Sequence, residues 1–217
     1  MGAGKTLTLA RLCFEHWFFR REVIFSNFHL FKIPYYYVDS LDKLDKMRLG
    51  FVGLDELWLI CDARLTKTKK NQLTANILAK SRKRELTVAY TAQLLDQIEK
   101  RIRKVTDFTA YPLLNRGESI TKVAIFRTGY PKAGTFMKYF YYKAETVKNL
   151  YDTNEEIDMV EESKEPMLLI FQENFNREHG YLCQCPTCGT KFFDNWEEAD
   201  KYASEYWKKM WEKGVRM

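Results

Sequence analysis

Met1-Gly2-Ala3-Gly4-Lys5-Thr6 and, further on, Phe51-Val52-Gly53-Leu54-Asp55-Glu56 are the stretches that decide the fold. The first matches the second half of a phosphate-binding loop, G-x-x-x-x-G-K-[ST]. Gly2, Ala3 and Gly4 leave room for backbone N–H groups to close around phosphates. Lys5 reaches the β- and γ-phosphates, and the Thr6 hydroxyl ligates Mg²⁺. Behind it, Leu9, Leu12, Cys13, His16 and Trp17 recur at helical spacing, so a helix starts at the loop and adds its positive N-terminal dipole. Counting back from Gly4, the first glycine of the motif falls two residues before Met1. The start of the loop and the strand feeding it are therefore expected upstream of Met1. The alternative is a protein that has lost its first strand and its nucleotide affinity with it.

The second stretch is an apolar strand that delivers two adjacent carboxylates at its C-terminal end, where open parallel sheets bind their ligands. Asp55 is placed to hold Mg²⁺ and Glu56 to act as general base on the attacking water. The next strand, Leu86-Thr87-Val88-Ala89-Tyr90-Thr91, leads to Gln93, whose amide is placed to sense the γ-phosphate or the lytic water.

Around these stretches, short β-rich runs alternate with helical ones, which predicts an α/β fold with a parallel sheet flanked by helices. Glu22 to Ser26 reads as a strand, Leu94 to Lys104 as a basic helix, and Phe108 to Tyr111 as a strand that Pro112 should close. The alternation through Val123, Ile125, Phe136, Lys138, Phe140 and Tyr142 predicts an antiparallel pair. Residues 1–151 form the expected nucleotide-binding domain, the polar and acidic stretch 152–166 a linker, and 167–217 a small C-terminal module. With 46% hydrophobic and 29% charged residues and only 10 Gly and 5 Pro, the chain of 217 residues is neither disordered nor low in complexity. It contains no run of apolar residues long enough to span a bilayer and no secretory leader pattern, so no membrane association and a cytoplasmic location are expected.

Charge divides the chain. Residues 1–150 carry 27 Lys and Arg against 14 Asp and Glu, whereas residues 151–217 carry 8 against 15. A basic body fits a polyanionic partner. Arg64, Lys67, Lys69 and Lys70, set among hydroxyls and amides without apolar periodicity, read either as a pore-lining DNA-tracking loop or as a solvated loop.

The five cysteines form an odd-numbered set, three of them, Cys183, Cys185 and Cys188, crowded near the C-terminus, which suits reduced thiols or a metal better than disulfides. Cys185-Pro186-Thr187-Cys188-Gly189 is a C-P-x-C-G knuckle, half of a zinc site. The positions where a Cys₂His₂ finger would place its histidines hold Lys201 and Glu205. His179 and Cys183 could complete a Cys₃His set; the alternative is a helical hairpin with free thiols. The aromatic tail through Trp196, Tyr202, Tyr206, Trp207 and Trp211 has helical spacing and reads as a small core or a docking face.

The combination of Gly2-Ala3-Gly4-Lys5-Thr6, Leu54-Asp55-Glu56, the segments Ser81 to Gln93 and Ile98 to Asp107, and Tyr151-Asp152-Thr153-Asn154-Glu155 resembles the FtsK–HerA superfamily of P-loop ATPases. Within it the chain resembles most the Zot-like and genome-packaging ATPases of viruses and plasmids, archaeal ones especially. The resemblance covers roughly residues 1–155 and implies an ATP- and Mg²⁺-dependent motor that moves double-stranded DNA through a ring of six subunits. Viral genome packaging is the first expectation, with the C-terminal module available to a capsid or other viral protein. A plasmid mobilisation or helicase-like ATPase and a non-catalytic DNA-binding adaptor are the alternatives. Such rings complete each site with an arginine from the neighbour. Arg82, Arg84, Arg101 and Arg103 are candidates, and the resemblance favours Arg101 and Arg103.

Overall fold

The computed structural model describes residues 4–60, 69–115, 117, 119–128, 134–152, 154–157 and 159. It also gives the backbone of 169–170, 181–185 and 189–193 and the single positions 198, 201 and 205; residues 69–73 are likewise described by backbone alone. Four short strands, β1 (Ile24–Ser26), β2 (Tyr35–Tyr37), β3 (Gly50–Leu54) and β4 (Leu86–Tyr90), form a parallel sheet in the order β4-β3-β1-β2. A two-residue strand, β8 (Leu169–Ile170), adds to β2 antiparallel. The fold is thus mixed α/β, with a four-stranded parallel core compatible with a P-loop nucleotide-binding domain.

The sheet is covered on both faces, so its strands are mostly apolar, with side chains sent alternately to either side. Phe25, Tyr36, Val52, Leu54 and Leu86 pack against α2 (Leu41–Lys46), α3 (Lys69–Ala79) and α4 (Lys100–Val105). Ile24, Tyr35 and Phe51 point the other way, onto α1 (Lys5–Arg20) and onto a second sheet. Helix α1 lies so close to β3 that a Cβ on Gly53 would stand 2.8 Å from Cys13 Sγ. Cys13 is completely buried, and burial pushes its thiol far above the ordinary range.

The second sheet is antiparallel, β5 (Phe108–Asn115), β6 (Ile120–Arg127) and β7 (Thr135–Lys143) in that order. The predicted β6–β7 pair is present. β5 departs from expectation: it continues through Pro112, which pairs with Val123, because β5 is an edge strand and a missing N–H on its open side breaks no ladder bond. Pro112, Val123 and Phe140 form one cross-strand row, and Leu114, Thr121 and Tyr142 the next. The side bearing them closes over α1, with Val123 and Tyr142 in the α1 core and Thr8 Oγ1 bonded to Tyr142 Oη at 2.8 Å.

Helical boundaries differ from the sequence reading in two places. The cation-rich stretch expected as a loop is helical from Lys69 onward, because Thr74, Ala75, Ile77 and Leu78 give α3 a buried face. The basic helix expected from Leu94 starts only at Lys100. Leu95–Gln97 is a 3₁₀ turn, and the Glu99 side chain caps α4 by accepting from Arg101 N at 3.0 Å. The stretch read as a linker contributes to the main body: Met159 is buried under the sheet and Glu155 bonds the backbone of His29. Strands β9 (Tyr181–Cys185) and β10 (Gly189–Phe193) form a hairpin in which Cys185 pairs with Gly189.

Candidate nucleotide site

Gly4 sits in the left-handed region (φ 87°) and caps α1, and the helix opens with Thr8 N donating to Gly4 O at 2.9 Å. Lys5 stands in the first turn, where there is no acidic residue. A cation at the positive end of a helix dipole is the reverse of the favoured placement, and a bound anion there reconciles the two.

β3 runs beside α1 and releases the chain at Asp55, immediately past its last residue. Thr6 Oγ1 donates to Asp55 Oδ2 at 2.9 Å, so the end of the phosphate-loop motif and the first of the paired acids meet. Asp55 is 6% exposed and is gripped on every side. Its other carboxylate oxygen accepts from Thr91 Oγ1 in a short bond. Its backbone N–H donates to Asn27 Oδ1 at 2.7 Å, and its carbonyl accepts from Asn27 Nδ2 at 3.0 Å. Asn27, fully buried just past β1, thus extends the sheet ladder by one side-chain rung and fixes the backbone of the acid.

Glu56 is half-buried and left-handed (φ 49°), a conformation that costs an L-residue energy and concentrates at functional turns. Thr91 holds it there, its hydroxyl accepting from Glu56 N at 2.9 Å and its carbonyl from Leu57 N at 3.0 Å. Thr91 was invisible as a site residue in the sequence, where attention falls on Gln93. β4 ends at Tyr90, and Gln93 is exposed, three residues beyond. It is Thr91 that touches Asp55.

Residues after the second sheet come back to this end of the molecule. Tyr151 bridges to Leu30, and its phenol is pushed up to about 12, first by burial and then by the Asp55 charge. Glu155 Oε2 accepts from His29 N at 2.7 Å. Burial raises the Glu155 carboxyl above its ordinary range against the pull of that bond, with the charges of Asp152 and Asp55 adding to the rise. His29 in turn bonds Tyr35 Oη through Nδ1 at 2.7 Å and stacks on Tyr37.

The site is therefore rich in carboxylate oxygen beside a hydroxyl and a helix start, the hard-oxygen environment that Mg²⁺ takes. Thr6 Oγ1 and Asp55 Oδ2, already within hydrogen-bond distance, fit it as neighbouring ligands, direct or through water. A Mg²⁺ held there would supply charge neutralisation to a bound triphosphate. The remaining expected residues lie apart or outside the described regions. Arg101 is half-exposed and bonded to Glu99 through Nε at 2.8 Å, and Arg103 lies one half-turn further on in α4. Gly2, Ala3, Arg64, Lys67, His179 and Cys188 lie outside the described residues, as do the side chains of Lys69, Lys70, Cys183 and Cys185. Among the described residues no group of three or more His, Cys, Asp or Glu is placed to hold a metal, and no helix is long and apolar enough to cross a membrane.

No protein-family profile matches the chain. No curated protein matches it in sequence. Among solved structures, it is similar to the N-terminal domain of zonular occludens toxin from Neisseria meningitidis, with a TM-score of 0.47 and 16% sequence identity, over 70% of this chain and 94% of that one.

Proposed function

We propose that this protein is a P-loop ATPase that moves double-stranded DNA, assembled as a hexameric ring and serving genome packaging. The observation that carries the reading is the 2.9 Å contact between Thr6 and Asp55, which unites two motifs remote in sequence at one end of a parallel sheet. In this reading the Gly4 loop and Lys5 bind the triphosphate, Thr6 and Asp55 hold Mg²⁺, and Thr91 fixes the unused oxygen of Asp55. Glu56 takes the proton of the attacking water, and Gln93 reports the state of the γ-phosphate. Arg101 or Arg103 of a neighbouring subunit balances charge on the transferring phosphoryl group. The excess of 13 positive charges over residues 1–150 supports a polyanionic substrate.

The test is ATP hydrolysis by the full chain with and without linear duplex DNA. Expected is Mg²⁺-dependent turnover that duplex DNA stimulates and that Lys5→Ala removes. Failure to bind ATP with Mg²⁺ would discard the ATPase reading, and turnover indifferent to DNA would discard the motor.

A further inference from the structure

The outward side of the β5-β6-β7 sheet carries a continuous band of rings that the nucleotide chemistry does not use. Tyr111, Ala124 and Tyr139 form one cross-strand row, and Leu113, Lys122 and Tyr141 the next. Phe126 makes edge contacts with both Tyr111 and Phe136, at 5.5 Å between ring centres in each case, and Phe136 lies 4.7 Å from Tyr139. The three tyrosines are 49–59% exposed. A soluble protein leaves so contiguous an apolar surface open only for a purpose.

Charge says what covers it. The three strands contain Lys122, Arg127, Lys138 and Lys143 and not one Asp or Glu. Lys122 Nζ lies 3.9 Å above the centre of the Tyr139 ring and 5.8 Å from that of Tyr141, where a phosphate can draw it off and leave both rings to bases. A second copy meeting this face with its own copy of it would set Lys122 and Lys143 against the same lysines. A duplex hides its bases from rings, whereas a single strand offers both stackable bases and phosphates. Ala124, between Tyr111 and Tyr139, and Leu113, beside Tyr111 on the edge strand, give a ribose 2′-hydroxyl nothing to bond, and Thr109 Oγ1 is already paired with Thr128 Oγ1 at 2.9 Å.

We infer that this face binds single-stranded DNA, with bases stacked on Tyr111, Tyr139 and Tyr141 and phosphates taken by Lys122 and Lys143. The inference rests on this sheet alone and survives or fails independently of the ATPase reading.

Fluorescence anisotropy of the full chain with a labelled 30-nucleotide oligothymidylate, without ATP, tests it. Binding is expected to weaken at least tenfold in Tyr139→Ala/Tyr141→Ala and to hold within about twofold in Tyr139→Phe/Tyr141→Phe, since stacking needs the ring and not the hydroxyl. Lys122→Ala/Lys143→Ala should flatten the salt dependence of binding. Equal or tighter binding of an oligouridylate overturns the proposal, as does a loss of duplex binding in Tyr139→Ala/Tyr141→Ala as large as the loss of oligothymidylate binding. So does oligothymidylate binding that the alanine pair leaves unchanged, or an alanine pair that breaks up an oligomer of the wild-type chain, which would mark the face as a subunit interface. Circular dichroism matching wild type qualifies each variant, and the phenylalanine pair decides the question should the alanine pair misfold.

Discussion

Thr6 and Asp55, separated by 49 residues in the chain, are joined by a hydrogen bond of 2.9 Å. In the proposed nucleotide-bound state both atoms would turn to Mg²⁺, so the two side chains should matter as a pair. Thr6→Val and Asp55→Asn are each expected to reduce Mg²⁺-dependent ATP affinity or turnover by tenfold or more, and the double variant to do little further damage. Titration of a fluorescent ATP analogue with and without Mg²⁺ measures this, and additive losses would show the two groups act separately.

Glu56 combines a proposed chemical role with a strained backbone. Glu56→Gly removes the carboxylate and relaxes the left-handed turn, so hydrolysis should vanish while stability rises by about 1 kcal/mol. Glu56→Gln should abolish hydrolysis with no such gain. Paired thermal melts and ATPase assays separate the two effects; a Gly variant less stable than wild type would contradict the strain.

Arg101→Ala or Arg103→Ala is expected to lower turnover by about a thousandfold while leaving ATP affinity intact, as suits a group that acts on a neighbour's phosphate. Arg101 is bonded to Glu99 within its own chain, so acting across an interface requires leaving that partner. Glu99→Gln should ease this step, seen as a shift in the protein concentration at which turnover becomes maximal. Normal hydrolysis by both alanine variants removes α4 from the mechanism.

Glu155 gives the fold a pH signature. Its carboxyl titrates above the ordinary range in the folded protein, so between its unfolded and folded pKa the native state binds more protons, and stability falls as pH rises through that window. Glu155→Gln keeps an oxygen for the His29 N–H and loses the titration. The melting temperature of the variant relative to wild type should therefore climb from acid to neutral pH. A difference constant with pH would contradict the assignment.

Strands whose character is carried by their own residues were readable in the sequence: β3 with its two acids, β4, and the β6–β7 alternation. β2 is not legible in the sequence because three tyrosines after a proline, two buried and one half-buried, have neither length nor alternation, and its strand character comes from lying between β1 and β8. The start of α3 was missed because its first residues are cations, while the apolar face that makes it a helix lies further along. At the site, Lys5, Thr6, Asp55 and Glu56 announce themselves through spacing. Asn27 and Thr91 do not, since an asparagine or threonine after a strand is ordinary until the sheet order sets it against Asp55. Pro112 misled in the same way, because whether a strand tolerates proline depends on having an open edge, and edges belong to the assembled sheet.

The separation of Thr6 from Asp55 is gauged by the atom that Gly53 lacks. Two residues before the acid, β3 lets Cys13 and Leu9 of α1 settle directly on its backbone, and the same helix carries Thr6 in its first turn. Gly53→Ala would act as a shim: the buried thiol must rotate into neighbours or the helix must ride up, widening the gap in which magnesium is to sit. Reduced Mg²⁺ affinity with ATP affinity in EDTA unchanged is the expected reading, restored in part by Cys13→Ala, which returns the room that the new methyl takes. A single hydrogen at position 53 thus sets how closely the helix that carries Thr6 lies against the strand that delivers Asp55.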